Sequence, residues 1–161
     1  TKEQVVYMQP RDPADYAIGH FPLCLQRFPG TKILGAVFPV LGHACPKLIF
    51  DHIGAQVAPE DPDRSVDPGY LKRVRDYALD LLPGLTGEVN EVVTCRYTMT
   101  PDEDFIIDTH PEHAHIVIAS PCSGHGFKFG SVIGRILADL ALHGATTHDL
   151  TQFRLGGGRW Q

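Results

Sequence analysis

The sequence predicts an α+β chain, and three observations predict it. Strand-like segments crowd the first fifty residues and return between 91 and 120. Two stretches carry the apolar period of helices. The last strand-like segment runs through a glycine-rich turn directly into the second of those helices.

In chain order, strands are read at Val5-Val6-Tyr7-Met8, Leu25 to Phe28, Lys32 to Val40 and Lys47 to His52, with Pro10, Pro13, Pro22, Pro29-Gly30 and Pro39 as punctuation. Residues 58–69 are polar and rich in turn formers, which suits a surface loop. A helix over 68–82 follows: Asp67 caps it, Pro68 fits its first turn, and Tyr70, Leu71, Val74, Tyr77, Ala78 and Leu81 recur at helical spacing. Pro83-Gly84 stops it. Strand signals return at Glu91 to Thr100, Phe105 to His110 and His115 to Ser120. A second helix over 131–143 lines up Val132, Ile133, Ile136, Leu137 and Leu140, with Gly144 just past its end. The tail, Leu155 to Gln161, has no periodicity and reads as partly tag or disordered. No internal repeat is visible.

A chain of 161 residues, 43% hydrophobic and 20% charged, is an ordinary globular composition with room for one domain. Fourteen basic against 19 acidic residues leave a net charge of -5, which argues against nucleic acid as a partner. No apolar run approaches the ~20 residues that a membrane-spanning helix needs. Thr1-Lys2-Glu3-Gln4 is not a signal peptide, and a start at Thr1 suggests a piece cut from something longer. Cys24, Cys45, Cys95 and Cys122 are far apart and include no Cys-x-x-Cys pair, so reduced thiols in a cytoplasmic setting are expected.

The chemistry-bearing segment is Ser123-Gly124-His125-Gly126-Phe127-Lys128-Phe129-Gly130. Strand, glycine turn and helix N-terminus offer free N–H groups and close approach to a ligand. No G-x-G-x-x-G dinucleotide fingerprint occurs anywhere. Asp108, His110, His113 and His115 raise a rival reading, a bound metal, but they lack a Cys partner and H-E-x-x-H spacing. They read as a loop, with no metal. Taken alone, Lys47 would be a solvent-facing strand lysine and Cys95 an inert buried thiol.

Two runs change that reading. Cys95-Arg-Tyr97-Thr-Met-Thr-Pro-Asp-Glu-Asp-Phe-Ile-Ile-Asp108-Thr-His110-Pro111, followed by Ser123-Gly-His-Gly-Phe-Lys-Phe129, closely resembles the C-terminal part of the sarcosine oxidase family, to which N-methyltryptophan and pipecolate oxidases belong. Phe38-Pro39 to Lys47-Leu48 resembles an earlier stretch of the same family, and the likeness runs from about Val5 to about Arg154. The resemblance implies a glutathione-reductase-like, DAO-type flavoprotein. Residues 1–112 would belong to its antiparallel-sheet substrate domain, 113–145 would be the terminal strand, turn and helix of its FAD domain, and 146–161 a tail. It implies oxidation of the C–N bond of a secondary amine or N-methyl amino acid to an imine, with oxygen reduced to hydrogen peroxide. FAD would be held covalently through Cys95, with Gly124, Gly126 and Lys128 beside it. Lys47 would activate oxygen, Lys128 would take the substrate carboxylate, and His125 and Tyr97 would lie against the substrate.

There are departures from the family pattern. Ala36 stands at an active-site tyrosine, Asp51 at a histidine (His52 is adjacent), and Pro121 and Cys122 precede Ser123 where glycine and phenylalanine are usual. The fingerprint region and an arginine that would share the carboxylate with Lys128 have no counterpart here. The 161 residues by themselves are therefore expected to be inactive. The strand 115–120 is expected to lack its natural neighbours and to promote self-association. Strand alternation predicts that Arg96 points away from the face of Cys95. The alternatives from other classes are a stand-alone binding module reusing the sheet, and a His-cluster metal protein.

Overall fold

Along Lys2–Pro10 fully buried and half-buried side chains alternate, the pattern of a strand with both faces covered to different degrees. In the computed structural model, which describes residues 1–30, 33–51 and 53–155, this strand, β1, is the hub of an antiparallel sheet. The other strands are β2 (Cys24–Arg27), β3 (Leu34–Phe38), β4 (Lys47–Asp51) and β5 (Leu85–Arg96), in the order β2-β3-β4-β1-β5. The expected beginning of the third strand at Lys32, the end of the fourth at His52 and the tail beyond 155 lie outside the described residues.

Helix α1 (Pro68–Leu81) forms where its signals placed it. The Asp67 carboxylate accepts from the N–H groups of Gly69 (2.7 Å) and Tyr70 (3.2 Å), and Pro68 opens the first turn. Tyr70, Val74 and Ala78 are buried against Val6, Met8, Val37, Leu48 and Phe50 of the sheet. Each large side chain so buried contributes about 1.5–3 kcal/mol. The Tyr70 hydroxyl, inside this layer, donates to the Phe50 carbonyl (2.8 Å) and accepts from the Phe50 N–H (3.1 Å). Burial pushes its ionisation well above the usual phenol range.

These five strands and α1 form one compact unit, Thr1–Arg96, and Tyr97–Gln161 form a second. In the second, β6 (Ile106–Thr109) pairs with β7 (Val117–Ser120), and α2 (Gly130–His143) ends on left-handed Gly144 at φ 70°. Phe105, Ile107, Ile133, Ile136 and Leu150 make its core, with Phe153 packed against them.

Three expectations need correction. The strand expected at 115–120 is no orphan: Val117 to Ser120 pair antiparallel with Thr109 to Ile106, because the Pro111 turn folds the chain back on itself. The other edge of that strand carries no partner strand among the described residues. β5 begins at Leu85 rather than 91, since Gly87 at φ 83° carries the chain through the register shift between Met8 and Pro10. Part of the 146–161 tail is packed: Leu150 lies in the second core and Phe153 packs against it.

Candidate active site

Register decides which side chains share a face. Opposite residues of an antiparallel pair point the same way, so the pairs Tyr7↔Lys47, Val5↔Ile49 and Ala36↔Ile49 put Lys47 and Ala36 on one face. The pairs Glu3↔Cys95 and Val5↔Val93 add Cys95 to it. This is the face opposite α1, whose contacts are to Val6, Met8, Leu48 and Phe50. Lys47 and Cys95 are two strands apart across the sheet and four residues apart along β1. That sets their Cα atoms about 16 Å from each other. Between them lie the apolar Val5 and Ile49.

The Lys47 ammonium rests 3.9 Å from the centre of the Phe38 ring. The Cys95 thiol is half-buried, and burial pushes it up from its ordinary ionisation range. Glu3 and Asp51 reinforce the shift, and Lys47 opposes it only in part. Arg96 gives no help. Its guanidinium donates to the Ala58 carbonyl at 2.8 Å and to that of Asp61, on the loop side, as alternation requires.

Glu3 itself is fully buried. Its carboxylate accepts from the Gly54 N–H (3.1 Å) and the Thr1 hydroxyl (2.7 Å), yet burial still raises its pKa from 4.5. At the other end of the face, His43 stacks on Tyr7 with ring centres 3.9 Å apart. Its Nδ1 accepts from the Cys45 N–H, so Nε2 carries the proton and donates to Glu91 at 3.0 Å. The sequence reading missed Phe38 as a contact of Lys47, and it missed the Tyr7–His43–Glu91 group. The motif Phe38-Pro39 and the strand period could have found the first; the second depends on a loop closing over β1.

In the second unit the turn 121–126 is strapped to the segment after Tyr97. The Ser123 N–H donates to the Thr98 carbonyl (2.9 Å), and the buried Ser123 hydroxyl lies 3.1 Å from that of Thr100. A Cβ on Gly124, at φ 75°, would stand 2.7 Å from the Tyr97 ring, and one on Gly126 would stand 1.6 Å from the Pro121 carbonyl oxygen. Neither position accepts a side chain. Tyr97, Gly124 and His125 are thus brought together. His125 stacks on Phe105 at 4.7 Å, and its Nδ1–H donates to the Ser123 carbonyl (2.8 Å), which leaves Nε2 outside that bond. Lys128 is exposed one turn further on, its ammonium 5.2 Å from the Phe129 ring centre. His110 stacks on His113 with ring centres 4.9 Å apart, and His115 lies tilted against His113 at 5.9 Å. Among the described residues no group of three or more His, Cys, Asp or Glu could hold a metal ion.

A sheet face with a cation and a thiol in the first unit, and a glycine turn in the second, agree with the chain's kinship. It belongs to the FAD dependent oxidoreductase (DAO) family, whose model matches residues 3–140. It is 37% identical over 155 residues to monomeric sarcosine oxidase of Bacillus sp. (strain NS-129), covering 94% of this chain and 40% of that protein. Over 76 residues it is 49% identical to N-methyl-L-tryptophan oxidase of Salmonella arizonae, covering 47% of this chain and 20% of that protein. NikD, an unusual amino acid oxidase essential for nikkomycin biosynthesis, shares the fold at a TM-score of 0.71 and 18% identity, over 95% of this chain and 41% of its own. The chain spans 40% or less of the length of the monomeric sarcosine oxidases it matches. The face opposite α1 is compatible with a flavin, whose ring system is flat and mostly apolar: the half-buried Val5 and the buried Ile49 are the apolar residues between the ammonium and the thiol.

Proposed function

We propose that this chain is the sheet and C-terminal turn of an FAD-dependent oxidase of secondary amines or N-methyl amino acids, yielding an imine and hydrogen peroxide. Kinship across residues 3–140, with Lys47 and Cys95 on one sheet face, carries the reading. In it, residues 1–112 serve the substrate domain, 113–145 the FAD domain, and 146–161 form a tail. The bound flavin would supply acceptance of the substrate's two electrons and their delivery to oxygen.

The chain's own residues do the rest. Lys47 sets a fixed positive charge where negative charge builds on oxygen as it is reduced, the situation in which a preorganised charge contributes most. Lys128 gives an ammonium to the substrate carboxylate. His125, with Nδ1–H committed to Ser123, offers Nε2 to the amine N–H, and Tyr97 packs against the substrate. The resemblance puts Gly124 and Gly126 beside the cofactor; within the chain itself, their missing side chains leave room for the Tyr97 ring and the Pro121 carbonyl. Cys95 is the residue that would hold the flavin covalently, through its sulfur. Its thiol must lose its proton first, and its surroundings resist that. Partners are then a small amino-acid substrate and oxygen. The four unpaired cysteines suit a reducing, cytoplasmic setting, and no helix among the described residues is long and apolar enough to cross a membrane.

The test uses a protein carrying this sequence within the family's full length. It should hold flavin through acid precipitation, lose that property in Cys95→Ser, and form peroxide from an N-methyl amino acid. The 161-residue chain alone should purify without stoichiometric flavin. Absence of flavin from the full-length protein would overturn the reading.

A further inference from the structure

We propose that Phe38 is a positioning residue for Lys47: its ring holds the ammonium in place on the sheet face without neutralising it. The inference rests on the reading of Lys47 given above and deepens it.

One row runs across four strands at this level. Phe38 pairs with Lys47, Lys47 with Tyr7, and Tyr7 with Glu91, each step about 4.8 Å. A lysine in such a row would ordinarily turn toward the carboxylate, here Glu91. That route is closed. His43 donates to Glu91 Oε2 at 3.0 Å and lies stacked on Tyr7, so the space between Lys47 and Glu91 is filled by rings and the carboxylate is already engaged. The other ionisable groups on the face are further along it. Glu3 is tied to Gly54 and Thr1, and Asp51 and Cys95 lie about four residues along the strands from the Lys47 level. Lys47 turns the other way, over Phe38, with 3.9 Å between the ammonium and the ring centre. Among the described residues this ring is the one group that engages it.

The difference matters chemically. A carboxylate partner would fix the ammonium but cancel most of its field. An aromatic face attracts the cation through its quadrupole and carries no net charge, so position is gained and the full positive charge stays available. An anion forming nearby meets an oriented, unpaired cation.

The 161-residue chain labelled with 13C at the lysine ε-carbons tests this by NMR, without any flavin. The five lysines are assigned by single Lys→Arg variants. Lys47 should show ε-CH2 protons displaced upfield of those of Lys2 and Lys72 by the Phe38 ring. Phe38→Leu should abolish the displacement and leave the Lys128 signal, shifted by Phe129, unmoved. Phe38→Tyr should restore it. A wild-type Lys47 signal that coincides with those of Lys2 and Lys72 would overturn the proposal, whether or not Phe38→Leu folds. So would a displacement that survives Phe38→Leu in a folded chain. In flavin-loaded protein, Phe38→Leu should slow reaction of the reduced form with oxygen roughly tenfold, and Phe38→Tyr should not. Failure of Lys47→Met to slow that reaction would instead overturn the reading of Lys47, so the two failures are distinguishable.

Discussion

Glu3 holds a carboxylate that no water reaches, and its raised pKa fixes the sign of its effect on stability. An acid whose folded pKa lies above its unfolded value contributes most below that unfolded value. The contribution is lost as pH rises through the folded pKa. Glu3→Gln keeps an acceptor for the Gly54 N–H and removes the charge, so its melting temperature relative to the parent chain should be more favourable at pH 7 than at pH 4. Calorimetry at the two values checks this; an equal difference at both would refute it. Cys95 obeys the same logic in kinetic form. Below the raised pKa of its thiol the thiolate fraction grows about tenfold per pH unit, so covalent flavin incorporation should accelerate as pH increases from neutrality. Acid-stable yellow colour measured against time at several pH values reads this directly. At the glycine turn, Gly126→Ala drives a methyl into the Pro121 carbonyl and should cost about 3 kcal/mol in urea unfolding. Gly130→Ala, with nothing within 4 Å of its Cβ, should be close to neutral.

Elements differ in how much of their formation is local. α1 was legible because its cap, its proline and its apolar period all lie within the segment itself. The faces of Lys47, Cys95 and Arg96 followed from strand alternation once the strands were recognised. What stayed hidden depends on distant partners. The β6–β7 pairing needs the chain to reverse at Pro111, and a single turn at Thr151–Phe153 has no period to read, although it closes a core. The Phe38 and His43 contacts arise only when four strands stand in register. Leu150→Ala should therefore destabilise the second unit by about 2–5 kcal/mol, a core-sized loss from a residue the sequence leaves in a tail. A loss below 1 kcal/mol would show that the segment is only laid on the surface. In the first unit, Tyr70→Phe leaves the Phe50 N–H and carbonyl without their buried partner and should cost about 1–3 kcal/mol.

At the scale of the whole molecule, the proposed labour is divided between two lysines with different neighbours. Lys47 is held on a sheet face by an aromatic ring, and Lys128 is exposed on the turn before α2. In the proposed function the first would serve oxygen and the second the substrate carboxylate, so their removal should affect different half-reactions. Lys128→Met should weaken capture of an N-methyl amino acid while reduced flavin, prepared by other means, still reacts quickly with oxygen. The most direct measurement is stopped-flow spectroscopy of Lys47→Met in flavin-loaded protein of the family's full length, following flavin reduction by amine and reoxidation by oxygen separately. Reduction should proceed within a few-fold of the parent rate, and reoxidation should slow by about 10²–10³. Slowed reduction with reoxidation intact would contradict the assignment of Lys47, and with it the account's central claim.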